Sequence, residues 1–533
     1  MKTIFTLFLS IHFLNSGLLA KEWVEMESSR PAEPVWEVNM ISRGHLEISF
    51  ELGGYFIDEL ENGRKLISFP GGVSMLQEGT PDLPRMAQSI IIPDLAHMEL
   101  SILEADFVET TISDIASSKG NITRDIDLAS VPYAYGKEYE TDAFFPEQVV
   151  FLRDPYILRT IRGQAVVFQP IQYNPIQRIL RIYTNIKIGV QENGTSTVNP
   201  LLQRPMAGGS REFENMYREH FINYTTEDRY VPVSEPGPMR IISYGGFMEA
   251  MQPFVDWKNY KGIPTEMVDV ADIGTIDDID AYIESEYYED GIAFVLLVGD
   301  IAQIESIRRS EGDGSNTPSD NSFTFIAGND FYPDLIIGRF SAENTTHVET
   351  MVNRTMSYEM DPDPTDDWYK KGSGFASDQG PGDDGEYDDE HLDNIRELLL
   401  DYTYVHVDQI YDPSGTVAQG EAALNEGRSI VNYTGHGSNS SWGNGCPMNN
   451  TDVNGLVNVN KWPWIWSVAC VNGEFHIGTC FAESWLRATN SNGEPTGAIA
   501  TLMSTVNQAW NPPMDGQDEM NAIFVESYEN NIK

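Results

Sequence analysis

The chain has 533 residues, too many for one hydrophobic core and enough for about three units of roughly 150–200 residues each. Hydrophobic residues make up 41% and aromatics 11%, so most of the chain can fold into packed cores rather than stay disordered. A formal net charge of −47 repels nucleic acid and anionic membrane surfaces, which leaves solubility or the binding of cations and cationic peptides.

Residues 1–20 open with Lys2, run apolar from Ile4 to Leu14, and exit through Ser16-Gly17-Leu18-Leu19-Ala20. A basic start, a short apolar stretch and a small-residue exit predict a secretory signal peptide cleaved after Ala20. The stretch is too short to span a bilayer, and no later segment qualifies. The protein is therefore expected outside the cytoplasm. Three cysteines, Cys446, Cys470 and Cys480, are too few for a disulfide scaffold there and leave at least one thiol free. Cys446–Cys480 pairing stays open beside a buried free Cys480. No Cys/His cluster has the spacing of structural zinc.

From about 35 to 200 the patterns are short and strand-like: Val149–Leu152, Ala165–Phe168 and Ile179–Tyr183, with turn signals such as Gly53-Gly54, Gly71-Gly72 and Asn193-Gly194. An all-β sandwich is the expected fold. Residues 205–240 are polar, with Gly208-Gly209 and Glu235-Pro236-Gly237-Pro238, and read as a protease-accessible linker that contains Arg229.

After 238 the texture changes. Arg240–Tyr244, Ala293–Asp300, Leu335–Gly338, Gly372–Ser377, Ile430–Tyr433, Trp464–Ala469 and Ala498–Met503 read as strands. Between them Phe247–Lys261, His347–Tyr358 and His391–Asp401 carry helical spacing, which predicts a parallel, doubly wound sheet.

Three constellations carry chemistry. Val431–Ser438 ends an apolar run in His436, between two glycines, and Ile465–Phe475 ends another in Cys470. In a parallel sheet both emerge at the carboxyl edge, where such folds place ligands. A thiol beside an imidazole can supply thiolate and protonate a leaving amine, so the pair reads as a cysteine nucleophile and its base. The glycines also free the backbone N–H of Gly437 to stabilise an oxyanion. A turn histidine and a buried core thiol are the plainer reading. The second constellation is Asp300 at a strand end with Asp330 and Asp334 on a compact loop, a hard-oxygen set that suits calcium or serves as turn caps. The third is the acidic loop Asp378–His391, able to hold a cationic side chain or simply to cap the helix that follows.

Asn432–Ser438 with Trp442, Val468–Phe475 and Cys480–Glu483 closely resemble the gingipain family of cysteine endopeptidases. So do Phe254–Asn259, Leu297–Asp300, Ile337–Ser341 and Gly516–Asn521, all in family order. Gly79–Pro84 and Ile90–Asp94 look like that family's prodomain. The resemblance implies a signal peptide over 1–20, a β-rich inhibitory prodomain and linker over 21–229, and a caspase-like α/β catalytic domain over 230–533. It matches Cys470 to the nucleophile, His436 to the general acid/base, and the N–H groups of Gly437 and Cys470 to the oxyanion hole. Trp510 matches the aromatic over the primary specificity pocket, and Asp388 the aspartate that pairs with substrate arginine. Asp300, Asp330 and Asp334 with the carbonyls of Ala327 and Tyr332 match one calcium site. Phe475, through its carbonyl, and Glu483 match another. Arg229, before Tyr230, matches the activation cut.

One departure stands out. Where the family's arginine-specific members place a glutamate behind the histidine, this chain has Gln379, with Asp378 one residue earlier as the substitute if the loop register shifts. The family also continues past the position of Lys533, which implies a C-terminal truncation here. It also leaves the choice between release and surface attachment to that missing region. The implied activity is secreted, calcium-stabilised cleavage of protein and peptide substrates after basic residues, Arg before Lys. The competing readings are a Lys-preferring peptidase and a catalytically impaired binding module with the same fold.

Overall fold

The computed structural model describes residues 21–60, 62–205, 210–225, 235–310, 316–360 and 362–526. The expected leader over 1–20 and the expected processing residue Arg229 lie outside the described residues.

The first region is strand-rich and antiparallel. Along His45–Glu51 the residues Leu46, Ile48 and Phe50 are buried while their neighbours are not, the period-two pattern of a strand with one wet face. Ile48 lies opposite Ile188 of the long strand Ile179–Thr195, which also pairs with Ala96–Thr111. A second antiparallel sheet is built on Ile161–Phe168 and Pro84–Ile91. Its Ile90, Val166 and Phe168 enter the same core as Phe50 and Ile188. Phe50 stacks on Phe168 at 5.1 Å and meets Trp36 edge-on at 5.0 Å. Truncating such a side chain to Ala costs about 3–5 kcal/mol.

The region expected as linker is partly helical. Arg211–His220 is an α-helix capped by the Ser210 hydroxyl, with Glu212 and Glu214 in its first turn and Arg218 and His220 in its last. Phe213 and Tyr217, one turn apart, are buried against Tyr156, Leu158 and Phe221. The Gly and Pro residues on either side mask this amphipathic turn. The region is therefore not purely β.

The second region holds two parallel sheets rather than the single sheet expected. One runs in the order Thr265–Asp269, Met239–Ser243, Phe294–Val298, Ile336–Phe340. The other runs His406–Tyr411, Lys371–Ala376, Ile430–Thr434, Trp464–Val468, Ala500–Met503. Each is covered on both faces. The first packs Met251, Phe254 and Met351 on one side and Ile279, Ile283 and Tyr287 on the other. The second packs Leu392, Ile395 and Leu399 on one side and Leu424, Phe481 and Trp485 on the other. Burial on both faces explains why these strands read as continuous apolar runs. Strand periodicity does not encode which runs share a sheet, so the division was not legible in the pattern.

Arg354 joins the two halves. Its guanidinium donates to the carbonyls of Leu486, Ala498, Ala488 and Thr496 at 2.5–3.2 Å. Among the described residues no helix is long and apolar enough to cross a membrane.

Candidate active site

Three adjacent strands of the second sheet end level. Ala376 pairs with Thr434, and Thr434 with Val468. The next residues along each chain are Ser377, Gly435-His436 and Ala469-Cys470, so one sheet edge gathers all three.

Asn472 and Gly437 hold the Cys470 loop against the His436 loop. Val471 sits at φ +50°, a left-handed conformation that costs a β-branched residue about 1–3 kcal/mol. Asn472, fully buried, offsets that cost by bonding through both ends of its amide. The nitrogen donates to the carbonyls of Ser438 (2.6 Å) and Ser441 (3.0 Å), and the oxygen accepts from Ser467 Oγ at 2.9 Å. Gly437 is packed so closely that a Cβ there would stand 2.8 Å from the Cys470 carbonyl oxygen.

His436 Nε2 lies 2.8 Å from Gln379 Oε1. An amide oxygen only accepts, so Nε2 carries the hydrogen and Nδ1 is left as the basic atom. Asp378, the expected alternative, is exposed and one residue removed, so the loop register gives the imidazole an amide and not a carboxylate. The Trp510 ring meets the imidazole edge-on at 5.9 Å.

Asp388 begins the helix Asp388–Tyr402 and is wholly buried. Its partner is a residue that sequence reasoning missed. Arg124, from the strand-rich region, places Nη1 3.0 Å from both Asp388 oxygens. The guanidinium also stacks over the Trp510 ring at 4.4 Å. Around it the chain forms a short antiparallel bridge, Thr123 opposite Ala509. Arg124 N donates to Gln508 O at 2.7 Å, and Trp510 N donates to Ile122 O at 2.9 Å. The segment then turns back. Ile126 N closes a turn on Thr123 O at 3.0 Å, and Ile126 O accepts from Trp510 Nε1 at 3.0 Å. The only local signal was a cation in an acid-rich chain, 34 Lys and Arg against 81 Asp and Glu, too weak to single out one arginine.

All three cysteines are free and buried. Burial pushes the Cys470 thiol up, Asp125 pushes it further, and backbone groups at Gln508 and Arg124 with the Arg124 charge pull it back. Cys446 is pushed up to about 12 and Cys480 higher still, mainly by burial.

The expected calcium ligands fall into two places. Asp330 and Asp334 are neighbours on the loop that also carries Ala327 and Tyr332. Asp334 accepts from the N–H groups of Arg159 (2.7 Å), Ile326 (2.9 Å) and Ala327 (2.6 Å). Burial pushes Asp334 up to about 7, and Asp330 beside it adds to the rise. Two desolvated carboxylates side by side are hard oxygen donors of the kind calcium takes. Asp300 bonds elsewhere, to Arg487 at 3.1 Å and to Ser341. Glu483 accepts from the same Arg487 at 2.7 Å and from Ser341 at 2.5 Å. The Phe475 ring lies under the Arg339 guanidinium at 5.0 Å. An arginine thus already supplies positive charge to the Asp300–Glu483 pair. Among the described residues no group of three or more His, Cys, Asp or Glu is arranged to hold a metal.

Comparison with known proteins matches the family models described as Peptidase family C25 over residues 233–532 and Propeptide C25 over residues 50–231. Gingipain R1 of Porphyromonas gingivalis is 38% identical over 503 residues, covering 91% of this chain and 49% of that relative. A crystal structure of the Arg specific cysteine proteinase gingipain R aligns with a TM-score of 0.53 at 40% identity, over 57% of this chain and 71% of that one. The complex of Porphyromonas gingivalis RgpB pro- and mature domains aligns with a TM-score of 0.52 at 39% identity, over 55% of this chain and 69% of that one. The chain thus spans about half the length of this curated relative.

Proposed function

The chain belongs to peptidase family C25, with that family's propeptide ahead of its catalytic part, and from this premise we propose that it is a cysteine endopeptidase precursor that cleaves after arginine. One observation carries the specificity. A buried carboxylate, Asp388, takes an arginine presented by a segment that adds itself as a strand beside Gln508–Trp510. A substrate arginine would use the same contacts: the planar guanidinium on Asp388 and its face on Trp510. A lysine ammonium keeps the charge but loses the planar stack.

In this reading the Cys470 thiolate attacks the carbonyl carbon after arginine. The thiol proton passes to His436, whose Nδ1 is kept basic by the Nε2–H bond to Gln379. The imidazolium then protonates the leaving amine, and water, deprotonated by the neutral imidazole, releases the acyl group. Backbone N–H groups at Gly437 and Cys470 stabilise the oxyanion, in keeping with how tightly Gly437 packs on Cys470. His436 and Cys470 after adjacent parallel strands also support a caspase-like arrangement.

The strand-rich region acts as inhibitor. Arg124 fills the specificity pocket, while the Thr123–Ile126 turn folds the following residues back instead of extending them past Cys470. Such a segment occupies the site without offering an extended bond. Cleavage at Arg229 would release it. Asp330 and Asp334, with the carbonyls of Ala327 and Tyr332, would hold calcium, which neutralises their charge; chelation followed by a thermal melt with added Ca²⁺ tests this. Export follows from residues 1–20. The function is tested with the chain after activation and peptides differing only at the residue before the cut. Cleavage after Arg that far exceeds cleavage after Lys supports it, and equal rates refute it.

A further inference from the structure

Ser377 lies between the specificity pocket and the histidine support. It is the first residue past Lys371–Ala376 and is fully buried. Its hydroxyl donates to Asp388 Oδ2 and accepts from the backbone N–H of Gln379 at 3.2 Å. Its own N–H donates at 3.1 Å to Thr434 O, the end of the strand that leads to His436. The circuit closes where Asp388 N donates to Gln379 O at 2.9 Å. Here one hydroxyl gives its single proton to the carboxylate that receives arginine. Its lone pair goes to the residue whose Oε1 holds the imidazole.

We propose that Ser377 is a positioning residue that couples the filling of the arginine pocket to the alignment of His436. A guanidinium seated on Asp388 fixes the carboxylate plane. The fixed carboxylate holds the Ser377 hydroxyl, and the hydroxyl holds Gln379 in register with Nε2 of the histidine. A side chain that fails to seat leaves the carboxylate free to rotate, and the hydroxyl follows it away from the Gln379 N–H. Arginine recognition then enters turnover as well as binding. The coupling rests on the peptidase reading above.

The test uses Ser377→Ala, Ser377→Thr, Gln379→Ala and the double variant Ser377→Ala/Gln379→Ala, each in the full chain. After activation, Ser377→Ala should lower kcat on an Arg peptide about ten-fold to a hundred-fold, the range for a lost hydrogen bond to a charged group. It should raise KM as well. The threonine keeps the hydroxyl and should restore most of both. Because the serine acts through Gln379, the double variant should have nearly the kcat of Gln379→Ala alone. Independent, multiplying losses would overturn the coupling, as would a Ser377→Ala variant with unchanged kcat.

A second readout needs no catalysis. Amide hydrogen exchange over 377–391 in the unactivated chain should quicken in Ser377→Ala and stay slow in Ser377→Thr; equal protection in both would overturn the proposal. A parent chain that cuts no Arg peptide would sink the peptidase reading, and exchange would still decide the Ser377 link.

Discussion

Arg124 and Asp388, 264 positions apart, form an ion pair with no solvent exposure on either side chain, Nη1 lying 3.0 Å from both carboxylate oxygens. Two charges removed from water are stable only as a pair, and removing one partner costs about 3–5 kcal/mol. The strand-rich region is thereby tied to the edge of the second sheet.

Arg124→Ala should loosen that tie. The expected result is a full-length chain that releases its strand-rich region faster and shows Arg-peptide cleavage before processing at Arg229. The hold should weaken about a hundred-fold or more, the equivalent of about 3 kcal/mol. Arg124→Lys should fall between, since it keeps the charge and loses the planar contact with Trp510. Progress curves of freshly purified chain measure both; an Arg124→Ala chain as silent as the parent would count against the pocket assignment.

Gln379→Glu should restore a charge behind His436. A carboxylate there stabilises the imidazolium and so the thiolate–imidazolium pair. The basic limb of the kcat/KM profile should move to higher pH, and the rate near neutrality should rise about ten-fold. Gln379→Ala should move the limb the other way. A pH–rate profile identical in all three proteins would leave Gln379 without a part in the chemistry.

Much of this site was legible in the sequence, for a physical reason. His436 and Cys470 each end an apolar run, and apolar runs that become parallel strands deliver their last residues to one edge. Asp388 lay in an acidic loop ahead of helical spacing. Arg124 was not legible, because its partner is set by docking of distant segments and leaves no local pattern. The helix Arg211–His220 was hidden by the glycines and prolines on either side of it. The contact between Asp300 and Arg487 was not legible either, because the two residues lie 187 positions apart.

Cys470 should be slow to alkylate in the intact chain and fast once the strand-rich region leaves. Burial raises its pKa, so less thiolate is present near neutrality. Uncovering the site returns water and lowers the pKa. Cys446 and Cys480, buried in the core and pushed to about 12 and higher, should stay unmodified in both states. Mass-spectrometric mapping of iodoacetamide adducts before and after processing checks this, and equal labelling of Cys470 in both states would contradict it.

Stability of the precursor should fall as pH rises. Burial, reinforced by neighbouring acids, pushes Asp383 up to about 8 and Asp384 up to about 7 from an ordinary 3.8. The folded form therefore holds protons that the unfolded form releases. Their stabilising contribution is complete below 3.8 and drains away up to about 8. Both residues sit on the loop Asp383–Gly385, with Asp384 beside Ser74 and Asp82 of the strand-rich region in one cavity. Thermal melts between pH 5 and 8 should show a falling midpoint, flatter in Asp384→Asn; a slope untouched by that substitution would contradict the assignment.

The most direct measurement is the cleavage profile of the chain after activation on a mixed peptide library, run beside its Cys470→Ala variant. The parent should cut after arginine, and the variant should not cut at all. Undiminished cleavage by Cys470→Ala, or a parent that cuts without regard to arginine, would contradict an arginine-directed peptidase built on Cys470.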